Sequence, residues 1–231
     1  MKNILLIGGS YGIGLAIAQE LHNENNIFVA SRTNENLTEL NVTHIPFDAS
    51  TDTLDTSKLP VILDGLVYCP GSINLRPFKG LKPEAFEADL QINFISLVKV
   101  IQAVLPNLTA GEQSSIVLFS SVAASMGMPF HTSVAAAKGA IEGFAKALAA
   151  ATAIEVFHNF SLVHDDIMDD APLRRGHETV HEKWDVNTGI LSGDAMLILA
   201  YQHFEEYEPK IFRELAKLFS KTALEVCEGQ Q

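Results

Sequence analysis

Hydrophobic and polar positions follow two alternating periods through the first two thirds of the chain. Short runs rich in β-branched residues predict five strands, at 3–7, 27–31, 42–47, 65–68 and 115–120. Amphipathic stretches with helical spacing lie between them, at 12–23, 83–105 and 133–150. Strands that alternate with helices in this way predict an α/β fold with a doubly wound parallel sheet.

The pattern changes after residue 150, where the spacing becomes helical and no further strand-like run follows. Interruptions fall near 171–176 and 187–193. We therefore expect an incomplete Rossmann-type domain of about five strands at 1–150. A C-terminal all-α segment, also truncated, is expected at 151–231. The helical pattern runs through residue 150 without a Pro, Gly or Ser linker, so the predicted boundary lies within a helix.

Composition limits which ligands and which cellular location we expect for this protein. The formal net charge of −12 disfavours a nucleic-acid or anionic-membrane surface, so small molecules are the expected ligands. Two cysteines and the absence of a signal-like N-terminus predict a cytoplasmic protein. No uncharged apolar run of about 18 residues exists, so no membrane span is predicted.

A glycine-rich turn follows the first predicted strand and opens the first predicted helix. Gly8, Gly12 and Gly14 form it, with Ser10 and Ile13 between them. Glycines there let the backbone approach a pyrophosphate, whose charge meets the amides at the helix N-terminus. A tight turn without a ligand is the alternative interpretation of the same residues.

The second predicted strand ends at Ser31-Arg32, without the acidic residue that accepts a ribose hydroxyl in NAD-binding proteins. Arg32 suits a 2′-phosphate instead. The sequence therefore favours NADP(H) over NAD as the cofactor.

These features together resemble the short-chain dehydrogenase/reductase family over residues 1–150. The spacing of the three glycines matches its cofactor loop, and the resemblance implies that Asp48 contacts adenine and that Gly71 belongs to the turn after the fourth strand. It also implies catalytic roles for Asn93, Ser121 and Lys138.

The catalytic tyrosine of that family is replaced. Its position, four residues before Lys138, is occupied by Val134, which cannot transfer a proton. We therefore expect weak or absent oxidoreductase activity. His131 is close in sequence and is either a substitute proton donor or an ordinary loop residue.

An acidic cluster marks the second part of the chain. Asp165, Asp166, Asp169 and Asp170 fall within six positions, followed by Arg174 and Arg175. On a helix these aspartates form like-charge pairs that need compensation. Mg²⁺ binds such oxygen ligands together with phosphates, and paired arginines grip a diphosphate; a solvated helix end is the alternative.

Residues 151–231 resemble a central slice of the trans-isoprenyl diphosphate synthases. Asp165, Asp166 and Asp169 match the first aspartate-rich motif, and Arg174 and Arg175 match the arginines that hold diphosphate. The resemblance implies Mg²⁺ as cofactor. It also implies short C15–C20 products, because Phe160 precedes the motif by five residues. The second aspartate-rich motif of that family has no counterpart in this sequence.

A second metal pattern overlaps this slice. The stretch from His177 to His181 fits the zinc-protease pattern H-E-x-x-H, which requires both imidazoles on one helical face. The sequence offers no third ligand, so we favour exposed polar residues on a helix over a zinc site.

Three hypotheses follow. The first is an NADP(H)-binding protein fused to a partial Mg²⁺-dependent synthase. The second is an active prenyltransferase of isoprenoid biosynthesis, and the third is a fusion product without evolved activity. The incomplete sheet would leave the fifth strand at an open edge, so a homo-oligomer is a further expectation.

Overall fold

The computed structural model describes residues 1–111, 114–205 and 207–229. Seven strands are described, with the bounds β1 Asn3–Ile7, β2 Asn26–Ser31, β3 Val42–Pro46, β4 Gly65–Tyr68, β5 Ser115–Leu118, β6 Leu173–Arg174 and β7 His177–Glu178. The α-helices are α1 Gly12–Leu21, α2 Pro83–Leu90, α3 Ser96–Thr109, α4 Val122–Met126, α5 Thr132–Met168, α6 Val180–Lys183, α7 Val186–Gln202 and α8 Pro209–Gly229. A π-helical turn, Gln91–Ile95, joins α2 to α3.

The first five strands form one parallel sheet in the order β3-β2-β1-β4-β5. This confirms the predicted doubly wound α/β fold, and each of the five predicted strands is present within two residues of its expected ends. The central strand β1 pairs with β2 and β4, and its Leu5, Leu6 and Ile7 are fully buried. Continuous burial on both faces is what a central parallel strand requires.

The chain divides into two compact units, Met1–Gly143 and Phe144–Gln231. Helix α5 begins in the first and ends in the second, so the change from one to the other falls inside a helix. The expected boundary at residue 150 stays a prediction.

The second unit packs around a cluster of aromatic side chains. Phe219 of α8 lies 4.8 Å, centroid to centroid, from both Phe157 and Tyr201, and 5.3 Å from Phe204. Phe160, which the resemblance expects to narrow an elongation cavity, belongs to the same buried cluster. The core of this unit is therefore made by α5, α7 and α8.

Two expectations for the second part are wrong. Strands do return after residue 150, because β6 and β7 form a short antiparallel hairpin through a turn at Arg175 and Gly176, both with positive φ. The interruption expected near 187–193 lies inside α7. The helical pattern breaks instead at Trp184 and Asp185. The Asp185 side chain caps α7 by accepting a hydrogen bond from the backbone amide of Thr188.

One helical segment, Pro83–Thr109, is long and apolar enough to cross a membrane by length and composition, and 39% of its most apolar window is buried. This segment contains Asp89 and Lys99, so it is not an uncharged apolar run of the kind that the sequence criterion requires. Its Leu97, Val100 and Val104 are buried in the first unit, as in a core helix.

Removing the ring of Phe219 tests the core of the second unit. Phe219→Ala should lower the free energy of unfolding of this unit by about 3–5 kcal/mol, because it deletes a buried ring and leaves a cavity. Trp184, the single tryptophan of the chain, provides a fluorescence signal for urea titrations. The neighbouring Leu218 is 65% exposed, so Leu218→Ala is the matched control. Equal effects of the two substitutions would contradict the assigned core.

Candidate functional site

A cleft of about 540 Å³ opens at the carboxyl ends of the parallel strands in the first unit. Five of the predicted cofactor residues line it: Gly8, Ser10, Arg32, Asp48 and Gly71. Parallel sheets bind ligands at this edge because successive strands deliver their following loops to one place. The structure therefore brings together residues that are up to 63 positions apart in sequence.

The glycine turn at one wall is a backbone requirement. Gly8 and Gly12 have φ of +77° and +56°, the left-handed region that glycine adopts without strain. A Cβ on Gly14 would lie 2.4 Å from the carbonyl oxygen of Gly8, so no side chain fits there. The turn thus packs the start of α1 directly against the end of β1.

The first turn of α1 presents backbone donors beside the cleft. The cap residue Tyr11 makes no side-chain hydrogen bond to the helix, and the amides of the first turn have no intrahelical acceptors. Gly12 and Ile13 supply two of these amides, and Gly14 supplies the close packing behind them. A helix start of this kind attracts an anion.

The loop after β2 holds Arg32 in the cleft. Ser31 donates its hydroxyl to the carbonyl of Thr33 at 2.8 Å, and His44 of β3 contacts the same Ser31 hydroxyl at 3.1 Å. The side-chain amide of Asn36 donates to the backbone carbonyl of Ser10 at 3.1 Å, and this hydrogen bond connects the loop to the glycine turn. Arg32 is exposed, so its guanidinium is available to a ligand.

Asp48 lies at the opposite wall, after β3. Its carboxylate accepts the amide hydrogen of Ser50 at 2.8 Å, and its own amide donates to Asp52 at 2.7 Å. That amide, with the hydroxyl of Thr51, lowers the pKa of Asp52. The loop is therefore closed by its own side chains with Asp48 half-buried at the cleft.

A buried polar network centres on Asn93 of the π-helical turn, whose Ile92 lines the cleft. Asn93 is fully buried and donates to the carbonyl of Asp89 at 2.8 Å and to the hydroxyl of Ser72 at 3.0 Å. Ser72 in turn donates to the Asp89 carboxylate at 2.5 Å. The π turn is a local feature that often accompanies functional sites.

Asn93 and Lys138 approach each other at Gly71. A Cβ built on Gly71 would lie 3.1 Å from Asn93 Oδ1 and 3.6 Å from Lys138 Nζ. Asn93 Oδ1 is buried without a hydrogen-bond partner among the described residues. Lys138 Nζ donates to the carbonyl of Phe119 at 2.8 Å, and burial lowers the pKa of its ammonium group.

Ser121 completes the predicted catalytic set, and Val134 and His131 lie near the position of the missing proton donor in the sequence. The Ser121 hydroxyl caps α4 by accepting from the amide of Ala123 at 3.2 Å. Val134 is buried, in the place of the tyrosine that the resemblance requires. His131 precedes α5 and its Nδ1 contacts the carbonyl of Pro129 at 2.6 Å. Whether His131 replaces the missing proton donor stays open.

The aspartate cluster lies at the end of α5, in the second unit. Arg174 of β6 donates through Nε to Asp166 Oδ1 at 2.6 Å and lies 3.3 Å from Asp165 Oδ2 through Nη2. Hydrogen bonding to Asp166 raises the pKa of Arg174. Arg174 thus supplies charge compensation for the acidic run, in addition to the Mg²⁺ or the solvent that the sequence analysis considers.

The other predicted members of this cluster are exposed. Asp169 follows the last residue of α5, and its amide still donates to the carbonyl of Asp165 at 2.9 Å, so the two carboxylates are one helical turn apart. Arg175 lies at the tip of the β6-β7 hairpin with φ of +52°. The carboxylates of Asp165, Asp166 and Asp169 offer oxygen ligands, which fit Mg²⁺.

The H-E-x-x-H pattern does not form one helical face. His177 and Glu178 lie in β7, whereas His181 lies in α6. The expectation that these are exposed helical residues is wrong as well, because His181 is buried.

Fold and site define a doubly wound α/β protein with a ligand cleft at its carboxyl edge, joined to a helical unit that carries an aspartate cluster. The sequence model of the short chain dehydrogenase family matches residues 2–157. The chain therefore belongs to the short chain dehydrogenase family. The polyprenyl synthetase model matches residues 121–231, so the chain is chimera-like and the two matches overlap within 121–157.

Solved structures agree with the fold. A short chain dehydrogenase from Shigella flexneri is 24% identical, with a TM-score of 0.58, and the match covers 64% of this chain and 66% of that one. Another from Shigella flexneri 2a, solved with NADP, is 24% identical, with a TM-score of 0.59, over 64% of this chain and 70% of that one.

Curated relatives match the second part. The geranylgeranyl pyrophosphate synthase of Geoglobus acetivorans is 45% identical over 92 residues, which are 38% of this chain and 28% of that protein. The geranylgeranyl diphosphate synthase of Methanosarcina mazei is 45% identical over 85 residues, 36% of this chain and 26% of that protein. The chain thus spans about a quarter of the length of these relatives.

Burial of Cys69 in the cleft wall gives a pH-dependent test. Desolvation raises the pKa of its thiol from 9.0 to about 11. The unfolded chain then releases this proton at lower pH than the folded chain, so stability should fall as pH rises from about 9 to about 11. Cys69→Ala should lose less thermal stability than the parent between pH 8 and 10. Cys227→Ala, at an exposed thiol, should behave as the parent does; a parental pH profile in Cys69→Ala would contradict the assignment.

Proposed function

We propose that the first unit binds NADP(H), with the pyrophosphate at the start of α1 and the 2′-phosphate at Arg32. The observation that carries this proposal is the cleft in which the glycine turn, Arg32 and Asp48 meet. The residues fit the cofactor because the turn excludes a side chain at Gly14 and the first amides of α1 are not capped by a side chain, which favours an anion at this helix start. Arg32 places a permanent positive charge where the 2′-phosphate distinguishes NADP from NAD.

The cofactor supplies hydride-transfer chemistry when it is bound. The chain retains Asn93 and Lys138 beside Gly71, where the side-chain oxygen Oδ1 of Asn93 is buried without a hydrogen-bond partner among the described residues. That oxygen and the Lys138 ammonium can hold a water or a substrate oxygen between them. Val134 has no proton to give at the position of the missing tyrosine, and a positioned acid contributes about 10²–10⁴-fold to rate. Binding without efficient reduction is therefore the proposed activity.

Substitution of Arg32 tests the proposed cofactor. The parent should bind NADPH more tightly than NADH, measured by the change in nicotinamide fluorescence. Arg32→Gln should weaken NADPH binding about 10-fold or more and leave NADH binding nearly unchanged, because it removes the charge that meets the 2′-phosphate. Lys58→Gln, also in the first unit and exposed, removes the same charge elsewhere and is the control. Equal affinity of the parent for both nucleotides would contradict the proposal.

A second function is the binding of Mg²⁺ and a diphosphate in the second unit. The contact of Arg174 with two aspartates favours it, and the residues involved are Asp165, Asp166, Asp169, Arg174 and Arg175. Asp165 and Asp169 lie one helical turn apart and Arg174 orients Asp166. Mg²⁺ would neutralise the phosphate oxygens, and the exposed Arg175 would bind them bidentately. An allylic diphosphate is the substrate class that the curated relatives suggest for prenyl transfer, and short C15–C20 products remain a prediction.

Thermal unfolding of the second unit tests this second function. Pyrophosphate and Mg²⁺ together should raise the Tm followed by Trp184 fluorescence, because a ligand that binds the folded state stabilises it. Asp169→Asn and Arg175→Gln should each reduce this shift, whereas Arg213→Gln, an exposed arginine of α8, should retain it. No shift at millimolar Mg²⁺ and pyrophosphate would favour a fusion product without activity in this unit.

A further inference from the structure

His181 of α6 is buried in an unusual way. Its side chain is 5% exposed, and neither Nδ1 nor Nε2 has a hydrogen-bond partner among the described residues. A polar group buried without a partner costs free energy, and such groups commonly mark the place of a bound ion or water. Among the described residues, both nitrogens of the His181 imidazole therefore lack the hydrogen-bond partner that a buried polar group normally has.

Two carboxylates approach the same imidazole. The ligand atoms of Asp170, His181 and Glu182 all lie within 4.8 Å of one another, and His181 Nε2 is 3.8 Å from Glu182 Oε1. Asp170 has a left-handed φ of +52° and lies two residues after α5 ends at Met168. That conformation is uncommon for a residue other than glycine, so the turn holds the carboxylate there at some cost.

We propose that Asp170, His181 and Glu182 bind a divalent transition metal ion of the Zn²⁺ type. One imidazole nitrogen with two carboxylate oxygens is a donor set that zinc accepts, whereas Mg²⁺ prefers oxygen alone. Ligand atoms in a tetrahedral zinc site with bonds of about 2.0–2.1 Å lie roughly 3.3 Å apart. The 3.8 Å between His181 and Glu182 is close to that value, and rotation of the exposed carboxylates closes the rest.

The geometry sets this site apart from both metal patterns in the sequence. His177, the partner of His181 in the H-E-x-x-H pattern, is exposed in β7 and is absent from the three-residue cluster. Asp165, Asp166 and Asp169 are likewise absent from it. Three protein ligands leave a fourth position open on the exposed side, where water or an anionic ligand can bind.

Direct titration of the full chain with metal is the test. After treatment with a chelator, the protein should bind Zn²⁺ saturably in calorimetry, and Co²⁺ should give the visible absorption of a low-symmetry site containing nitrogen. His181→Gln, Asp170→Asn and Glu182→Gln should each weaken Zn²⁺ binding by at least the roughly 10-fold that even outer-shell changes cost. Retained affinity in all three variants, or the absence of saturable binding in the parent, would overturn the proposal.

Matched controls separate the alternatives. His177→Gln and Glu178→Gln should bind Zn²⁺ as the parent does; loss of binding in His177→Gln would assign the ion to the H-E-x-x-H pattern and overturn the proposal. Asp169→Asn should also retain binding, because the aspartate cluster is separate. Asp170 and Glu182 are exposed, so their variants decide the question even if His181→Gln fails to fold.

Discussion

The first unit depends on a backbone contact that glycine alone permits. Helix α1 begins so close to the end of β1 that a Cβ on Gly14 would lie 2.4 Å from the Gly8 carbonyl oxygen. This approach sets the direction of α1 and leaves its first amides at the carboxyl edge of the sheet. Because β2, β3 and β4 are parallel to β1, the loops that follow them reach the same edge. One steric constraint thus determines where the cleft forms and which charge it favours.

Much of this architecture can be predicted from local pattern. The runs at 3–7 and 65–68 match β1 and β4 to the residue, because buried parallel strands require continuous apolar side chains. Three glycines between a strand and a helix suffice to predict the turn. Arg32 is singled out by its position after the second strand, and it lines the cleft; its contact with a 2′-phosphate stays a prediction.

The rest depends on features that local pattern does not encode. Asp170, two residues after the end of α5, and Arg175, in the β6-β7 turn, both adopt positive φ although neither is glycine. The sequence predicts an interruption near 171–176, but it does not predict these two backbone conformations. The pairing of Arg174 with Asp166 and the burial of His181 follow from those turns. The network of Ser72, Asp89 and Asn93 likewise requires the π turn, which the helical period of that stretch conceals.

The two parts of the chain retain unequal shares of the chemistry their families imply. A contiguous βαβ unit supplies most of the proposed dinucleotide site, whereas the family's proton transfer needs the side chain that Val134 replaces. The aspartate cluster is also contiguous, and Arg174 stabilises it from the neighbouring hairpin. Binding functions are therefore the ones that the described residues support in both units, and the chimera-like sequence need not preserve either complete reaction.

Hydrogen exchange of the full chain, followed by mass spectrometry with and without NADPH, tests this account most directly. The account predicts that NADPH slows exchange in the peptides covering residues 8–15, 31–36 and 69–72, which hold the amides around the cleft, and leaves α8 unchanged. Unchanged exchange at the glycine turn with saturating NADPH would contradict the claim that the cleft is a dinucleotide site.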